Sequence, residues 1–359
     1  MIGHDPQLAT GIDALDHRAE QRWYQSWRIT LGGRGTTTAT YDPTTSTVAA
    51  VGQTSRGSRA EFRLRRLGGR WLGGRSGRHR LGEQPMAPDP TWDFRNPASK
   101  TRVLGVLQHQ MDELFGLVVE PEHWRDPTAC AGWELRDMVG HLLDATDSYL
   151  TGFDRVRRGV ATGPPVGVGG MAAASDAAAR AFRAVPREEL LDRLSSETRR
   201  LMVELASLSD ADWSSLLVPD RYLGPLPAMV IAEGMLGGYT VHGWDVRQGV
   251  GAPHAVDGDA ADLLVPFVFL LWQATADTST IVEPFTVGVR TTGRNGGETR
   301  VDVSTHGLQL ATGDLDGCGA TIEVDPGTLV LTAYGRVNGG TVRGDPAVVA
   351  RFRSLFVAI

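Results

Sequence analysis

The spacing of apolar residues changes once along this chain, near Pro284, and the change separates two kinds of fold. From residue 101 to residue 277, apolar side chains recur every three or four positions, the period of a helix with one buried face. After Pro284 they alternate, as in short half-buried strands joined by Gly-rich turns. The sequence therefore predicts a mainly α protein: a helical bundle over 96–282, then a small α+β domain over 283–359.

Five helical segments are predicted, and strands follow them. The helices are expected over 101–119, 133–159 and 186–208, from about 227, and over 258–277. The predicted strands lie in "FTVGVRTTG", "TRVDVST", "LQLATGD", "ATIEVDP" and "VNGGTVRGD", with helical pieces in "DPGTLVLTAYGR" and "DPAVVARFRSLFVAI". The segments "GPPVGVGGMAAAS" and the Pro/Gly-rich stretch after "DADW" are predicted as loops.

Residues 1–95 differ in composition from the rest of the chain. They contain 14 Arg, no Lys and 9 acidic residues, a charge of +5, together with 13 Gly and several runs of Thr. Because no apolar period lasts long enough to build a core, a poorly structured, low-complexity extension is expected here. Two alternatives remain: translation that starts at Met86, and an Arg-rich arm that contacts nucleic acid.

The charge and hydropathy of the remainder exclude several classes of protein. Residues 96–359 carry 22 basic and 33 acidic side chains, a charge of −11, which argues against a general nucleic-acid grip. The longest apolar run, 263–272, is about half of what spans a bilayer, and Pro266 interrupts it. The N-terminus shows no signal-peptide pattern, so a cytoplasmic location is expected. Cys130 and Cys318 have no metal or redox spacing and are expected to be reduced thiols.

Two histidines stand on apolar helical segments. His141 lies among Val139, Leu142 and Leu143, and His242 lies beside Val241. A histidine facing a bundle interior must be hydrogen-bonded or bound to metal, and two facing helices can share one cation. Asp245 follows His242 by three residues, so it could be a third ligand or an acceptor that orients a ring N–H. Equally, both histidines could be ordinary core or surface groups.

The motifs around these residues resemble a known family. "WELRDMVGH", opening the second predicted helix, and "VHGWDV", on the fourth, are similar to the mycothiol-dependent maleylpyruvate isomerase family. The resemblance covers roughly 101–359, because "LVLTAYGRVNGGTVRGDPAVVARFRSLF" has the form of the family's C-terminal domain. It implies a DinB-like four-helix bundle that binds a divalent metal, usually zinc, and a C-terminal domain similar to sterol carrier protein 2.

The resemblance also implies the ligands, and one of them is missing. His141 and His242 match the family's histidines, but Gly238 stands where the family has a glutamate. Glu233 cannot replace it, because nine residues of helix place it on roughly the opposite face. Three alternatives are open: metal held by His141, His242 and Asp245, metal held weakly by the two histidines and waters, or a site that binds no metal.

The function implied by the resemblance is thiol chemistry. Mycothiol, as co-substrate, would react with a small electrophile in an S-transferase or isomerase reaction. Use of Arg at every basic position except Lys100 suggests a GC-rich genome and fits an actinobacterial thiol. Arg336, at the family's Gly-Arg position, is the candidate cation for an anionic substrate, with a structural surface salt bridge as the alternative. Because of Gly238, a non-catalytic relative that binds a small ligand or a protein partner is the second hypothesis.

Overall fold

The computed structural model describes residues 36–42, 47–53 and 89–356. The chain divides into two units, Met1–Glu83 and Gln84–Ile359. In the first, strand β1 (Thr36–Asp42) pairs antiparallel with β2 (Thr47–Gln53), a hairpin that the sequence analysis did not predict although Thr and Val favour strands. The rest of the expected poorly structured extension, up to residue 88, lies outside the described residues.

The second unit begins with helices, as predicted. Its helices before the sheet are α1 (Lys100–Val118), α2 (Leu135–Arg158), α3 (Met171–Ala181), α4 (Arg187–Ser207), α5 (Asp210–Ser215), α6 (Ala228–Gly249) and α7 (Gly258–Thr275). Helix α3 and a short hairpin, β3 (Leu217–Asp220) with β4 (Gly224–Pro227), lie where loops were expected. These short elements carry too few apolar positions to show a period.

Helices α1, α2, α4 and α6 form the four-helix bundle, with α1 packed on α6 and α2 packed on α4. The apolar positions of α1 that predicted a helix, such as Val103, Leu107 and Leu114, are fully buried against α6. Helix α2 packs on α4, and α6 is buried on most of its surface. The fold class predicted from the 3.6-residue period is therefore confirmed for the bundle.

The packed chain begins before residue 96. Trp92 and Phe94, which the sequence analysis assigned to the extension, are buried, and the Phe94 ring meets the edge of Phe267 at 6.1 Å. Asn295 donates its side-chain N–H to the Trp92 carbonyl at 2.6 Å. These contacts place residues 89–95 within the second unit.

The C-terminal part is a five-stranded sheet with two helices, as the two-residue period predicted. Its elements are β5 (Phe285–Thr291), β6 (Gly297–Ser304), β7 (Gly307–Thr312), β8 (Ala320–Val324), α8 (Pro326–Ala333), β9 (Thr341–Gly344) and α9 (Pro346–Arg353). The strand order is β7-β6-β5-β8-β9, and only the β5–β8 pair of this sheet is parallel. Helix α7 joins this domain to the bundle: it packs on α8, and its Trp272 contacts Phe352 and Phe356.

No helix in the described ranges has the length and apolar character to cross a membrane.

Glycines on α6 let two other segments approach its backbone. A Cβ at Gly249 would lie 1.9 Å from the Pro127 carbonyl oxygen, so only glycine lets the loop before α2 dock there. A Cβ at Gly237 would lie 2.3 Å from the Tyr334 hydroxyl, which brings the end of α8 against α6. The Ala129 N–H donates to the Asp245 carbonyl at 3.0 Å and fixes the docked loop.

We expect Gly249→Ala to destabilise the full chain by about 1–3 kcal/mol, because the added methyl collides with backbone that cannot rotate away. Gly243→Ala is the matched control, since a Cβ there meets nothing within 4 Å. It should be neutral or stabilise the helix by up to about 1 kcal/mol. Chemical denaturation of both variants checks this, and equal stabilities for the two would contradict the docking argument.

Candidate functional site

The two histidines predicted from the sequence meet between α2 and α6. The ring centroids of His141 and His242 are 4.9 Å apart, at an interplanar angle of 86°. His242 is 9% exposed, and His141 is partly exposed although its Nδ1 is enclosed without a hydrogen-bond partner among the described residues. The two rings therefore lie against each other between α2 and α6, on the inward positions that the helical period predicted.

Trp133 covers both imidazoles, although the sequence analysis assigned it to the core. Its ring centroid lies 5.1 Å from that of His141 and 6.4 Å from that of His242. The indole N–H donates to Asp176 on α3 at 2.8 Å, and Arg180 donates to the same carboxylate oxygen. Helix α3 was not predicted, so no sequence pattern indicated that Asp176 would lie here.

Asp245 is the fully buried centre of the site's hydrogen bonds. Its Oδ2 lies 3.0 Å from His242 Nδ1, and Arg336 donates Nε to Oδ1 at 2.9 Å and Nη2 to Oδ2 at 2.9 Å. Burial favours the neutral acid, but the hydrogen bonds from His242 and Arg336 outweigh it and hold the pKa of Asp245 below its usual range. An ionised carboxylate only accepts, so Nδ1 is the ring nitrogen of His242 that donates to Asp245, and Nε2 is the ring nitrogen left without this contact.

Arg336 reaches the bundle from the loop after α8. Its side chain is 11% exposed, and Nη1 also donates to the Tyr334 carbonyl at 2.7 Å. The sequence analysis expected either a cation for an anionic substrate or a surface salt bridge. The structure brings Arg336 to the site as expected, but its guanidinium is buried against Asp245, so it ties the α+β domain to α6.

Cys130 completes this group. Its thiol donates to Asp245 Oδ2 at 3.1 Å, and Arg336 Nη2 lies 3.0 Å from the sulfur. Burial raises the pKa of the Cys130 thiol to about 12, so the sulfur is protonated at neutral pH and is a poor nucleophile. The sequence offered no motif that would have connected Cys130 with Asp245, 115 residues away.

These residues do not fit a divalent metal as they are arranged. In residues 89–356, the one group of three possible ligands is Cys130, His242 and Asp245, whose ligand atoms lie within 4.8 Å of one another. The guanidinium of Arg336 touches both the sulfur and the carboxylate of that group, so a cation there would face a fixed positive charge. Asp245 was expected either as a third ligand or as an acceptor that orients a ring N–H, and its contact with His242 Nδ1 is of the second kind.

The histidine pair does not supply the missing ligand either. A zinc site takes three or four protein ligands, and the pair offers two. At Gly238, where the resemblance places a glutamate, a Cβ would meet nothing within 4 Å. The site therefore has open space at Gly238 instead of a carboxylate.

The open space at Gly238 adjoins a line of partly exposed positions on α2 and α6, which we call the cleft. Along α2, His141, Ala145 and Tyr149 are partly exposed while Leu142, Leu143 and Thr146 are buried. Along α6, Gly234 and Gly238 are partly exposed between buried neighbours. These positions are four residues apart and share one face of each helix. The cleft runs from the histidine pair towards Tyr149, whose hydroxyl lies 3.4 Å from the Cβ position of Gly234.

Comparison with known proteins identifies the bundle. Residues 104–247 match the family model described as the mycothiol maleylpyruvate isomerase N-terminal domain. No curated protein matches the chain. Two crystal structures of the mycothiol-dependent maleylpyruvate isomerase, one of them of a mutant, align with a TM-score of 0.47 and 12% identity over 68% of this chain and 92% of theirs. The colibactin self-resistance protein ClbS in complex with a double-stranded DNA aligns with a TM-score of 0.38 and 12% identity, over 43% of this chain and 97% of that one.

The pKa of His141 leads to a prediction about stability. Burial, then the His242 ring and the charges of Arg336 and Arg221, lower the pKa of His141 to about 3. The unfolded chain takes up this proton near pH 6.5 and the folded chain does not, so the contribution of His141 to stability falls as pH drops below 6.5. The unfolding free energy of the wild type should lose up to about 2 kcal/mol more than that of His141→Gln between pH 7 and pH 5.

His123→Gln is the control of opposite sign. The hydrogen bond with Asp126 raises the pKa of His123, so the contribution of His123 grows as pH falls. Denaturant titrations at several pH values compare the three proteins. Parallel pH profiles for the wild type and His141→Gln would contradict a neutral, enclosed His141.

A second prediction concerns metal. We expect the full chain to bind zinc weakly and below one ion per chain, and Gly238→Glu to bind it at least about tenfold more tightly, because a carboxylate one turn before His242 supplies a third ligand. Gly243→Glu is the control, since that position is equally open but lies on another face. Calorimetry and elemental mass spectrometry measure this. Tight binding of one zinc by the wild type would contradict the poor fit.

Proposed function

Because residues 104–247 belong to the mycothiol maleylpyruvate isomerase N-terminal domain family, we propose that this chain catalyses the reaction of mycothiol, or a similar small thiol, with a small electrophile in the cleft beside His242. The observation that carries the proposal is the His242–Asp245 pair at the closed end of that cleft, 3.0 Å apart. A thiol must lose its proton to become a nucleophile, and an oriented imidazole is a suitable base.

The base is His242 Nε2. Asp245 fixes the tautomer of the ring and stabilises the imidazolium that forms when it takes the thiol proton. Arg336 and Cys130 hold the carboxylate in place through its remaining lone pairs. His141, neutral at physiological pH because of its low pKa, lies against the His242 ring without adding a second positive charge.

The proposed reaction conserves the thiol. The S–H proton passes to His242, and the sulfur forms a bond to the β-carbon of an activated double bond, whose electron pair moves to the carbonyl oxygen. Rotation about the resulting single bond, followed by return of the electron pair and loss of the thiolate, gives the isomer. The thiolate then recovers its proton from His242. If the enolate carbon takes the proton instead, the product is a thioether and the reaction is an S-transfer.

The assay uses mycothiol and an activated cis-alkene such as maleylpyruvate, followed by ultraviolet absorbance. We expect His242→Ala to lower kcat/KM by about 10²–10⁴, the usual contribution of a general base. Asp245→Asn should lower it as well, because the amide can present a donor to Nδ1 and select the wrong tautomer. His306→Ala, in the exposed turn between β6 and β7, should leave the rate unchanged.

Unchanged turnover in His242→Ala would rule out the base. Circular dichroism of each variant separates loss of chemistry from loss of fold. Asp245→Asn needs this check most, since it leaves Arg336 buried without its carboxylate.

A second candidate function, ligand binding without turnover, is favoured by one cavity. A space of 590 Å³ lies between α7, the sheet and the last two helices, lined by apolar side chains such as Trp272, Leu329 and Phe352. Arg353 also lines it, and its Nε is buried without a partner among the described residues. Two results together would favour ligand binding over thiol chemistry. The chain would bind an apolar anion in this cavity, and it would catalyse no reaction of the thiol with the electrophiles assayed.

A further inference from the structure

The cleft spans a short distance and is bordered by small side chains. Ala145 on α2 and Gly238 on α6 are the small residues between the histidine pair and Tyr149. From His141 to Tyr149 is eight residues, or about 12 Å of helix. The enclosed, unpartnered Nδ1 of His141 lies at one end of this space. If the reactive carbon of a short molecule lies near His242, the other end of that molecule therefore lies beside Ala145 or Tyr149.

A cation stands beside that part of the cleft. Arg221, in the turn between β3 and β4, donates Nη1 and Nη2 to the two carboxylate oxygens of Asp144 at 2.6 and 3.0 Å. Asp144 stands three residues after His141 and directly before Ala145 on α2, so this ion pair holds the guanidinium beside the partly exposed face of that helix. The positive charge of Arg221 also helps to lower the pKa of His141.

Arg336 and Arg221, whose charges both lower the pKa of His141, differ in how much of the side chain is exposed. The Arg336 side chain is 11% exposed and bound to Asp245, whereas that of Arg221 is 32% exposed. A guanidinium has five N–H donors, and Asp144 takes two of those of Arg221. Hydrogen bonding to Asp144 also raises the pKa of Arg221, so the charge is permanent. Arg221 is thus the more accessible cation for an anion in the cleft.

We propose that Arg221 binds the carboxylate of the electrophile and sets the preference of the site for short unsaturated carboxylates. The sequence had suggested Arg336 for this role. The proposal for Arg221 rests on the proposed function. Charge-assisted hydrogen bonds from a guanidinium already fixed by Asp144 would hold the substrate without first ordering the side chain. The Tyr222 hydroxyl, 3.2 Å from Ser175 Oγ, lies on the residue next to Arg221 in the same turn.

The test compares charged and neutral electrophiles. Arg221→Gln should raise KM for an unsaturated carboxylate at least about tenfold, with little change in kcat, and leave the kinetics of its neutral methyl ester unaltered. Arg221→Lys should restore part of the affinity for the carboxylate, because it keeps the charge but not the fork. An equal effect on both electrophiles, or no change in KM, would overturn the proposal.

The chain offers a matched control on the same helix. Arg183 makes a similar pair with Asp137 of α2, donating Nε and Nη2 at 2.7 and 2.6 Å, and its side chain is 33% exposed. Arg183→Gln therefore removes the same kind of contact from another part of α2. It should leave KM for both electrophiles unchanged, and a rise in KM for the carboxylate equal to that of Arg221→Gln would count against Arg221.

Direct binding separates this proposal from the proposed function. A saturated dicarboxylate such as succinate cannot react, so calorimetry with the full chain measures affinity alone. Weaker succinate binding in Arg221→Gln than in the wild type, in a protein that turns over no electrophile, would support the role of Arg221 and reject the thiol reaction. Turnover of carboxylates with no dependence on Arg221 would reject the role of Arg221 alone.

Discussion

The buried ion pair between Asp245 and Arg336 determines how the two parts of the second unit meet. Neither charge could stay in this interior alone, since burying an unpaired ion is far more costly than burying a pair. The guanidinium comes from the α+β domain and the carboxylate from α6, so each part satisfies the other's charge. Gly237 allows the same approach, because its missing side chain leaves room for Tyr334 two residues before Arg336. The contact between α6 and the α+β domain is therefore determined by a charge pair, Asp245 with Arg336, and by a close steric fit of Tyr334 against Gly237.

This ion pair also determines what chemistry the site can perform. The guanidinium of Arg336 contacts Cys130 and Asp245, two of the three groups that could otherwise hold a cation. The same contact keeps Asp245 ionised, and an ionised Asp245 selects the tautomer of His242. The Asp245–Arg336 ion pair thus disfavours a bound metal ion and, in the proposed function, orients His242 as the base. In the proposed function the oriented imidazole takes the thiol proton, whereas the family resemblance implies a thiol bound to metal.

The extent to which the sequence predicted the structure follows from the range of the interactions. Helix and strand periods depend on neighbouring residues, so the bundle helices, the sheet strands and the inward positions of His141 and His242 followed from the sequence. Asp245 and Arg336 are 91 residues apart, and Cys130 and Asp245 are 115 apart, so no local pattern could pair them. Helix α3, Trp133 above the histidines and Arg221 beside the cleft depend on short or irregular segments, where periodicity gives little signal.

Gly238 connects the missing ligand with the cleft. Viewed only as the replacement of a glutamate, it suggests a site that has lost its function. In the structure, however, the same substitution extends an accessible strip along α6 and matches Ala145 on the facing helix. A glutamate there would add a negative charge one turn before His242, and that charge would repel a carboxylate bound nearby. In the proposed function, the glycine therefore removes a metal ligand and leaves room beside the base. That is consistent with a site altered towards a different way of activating its thiol.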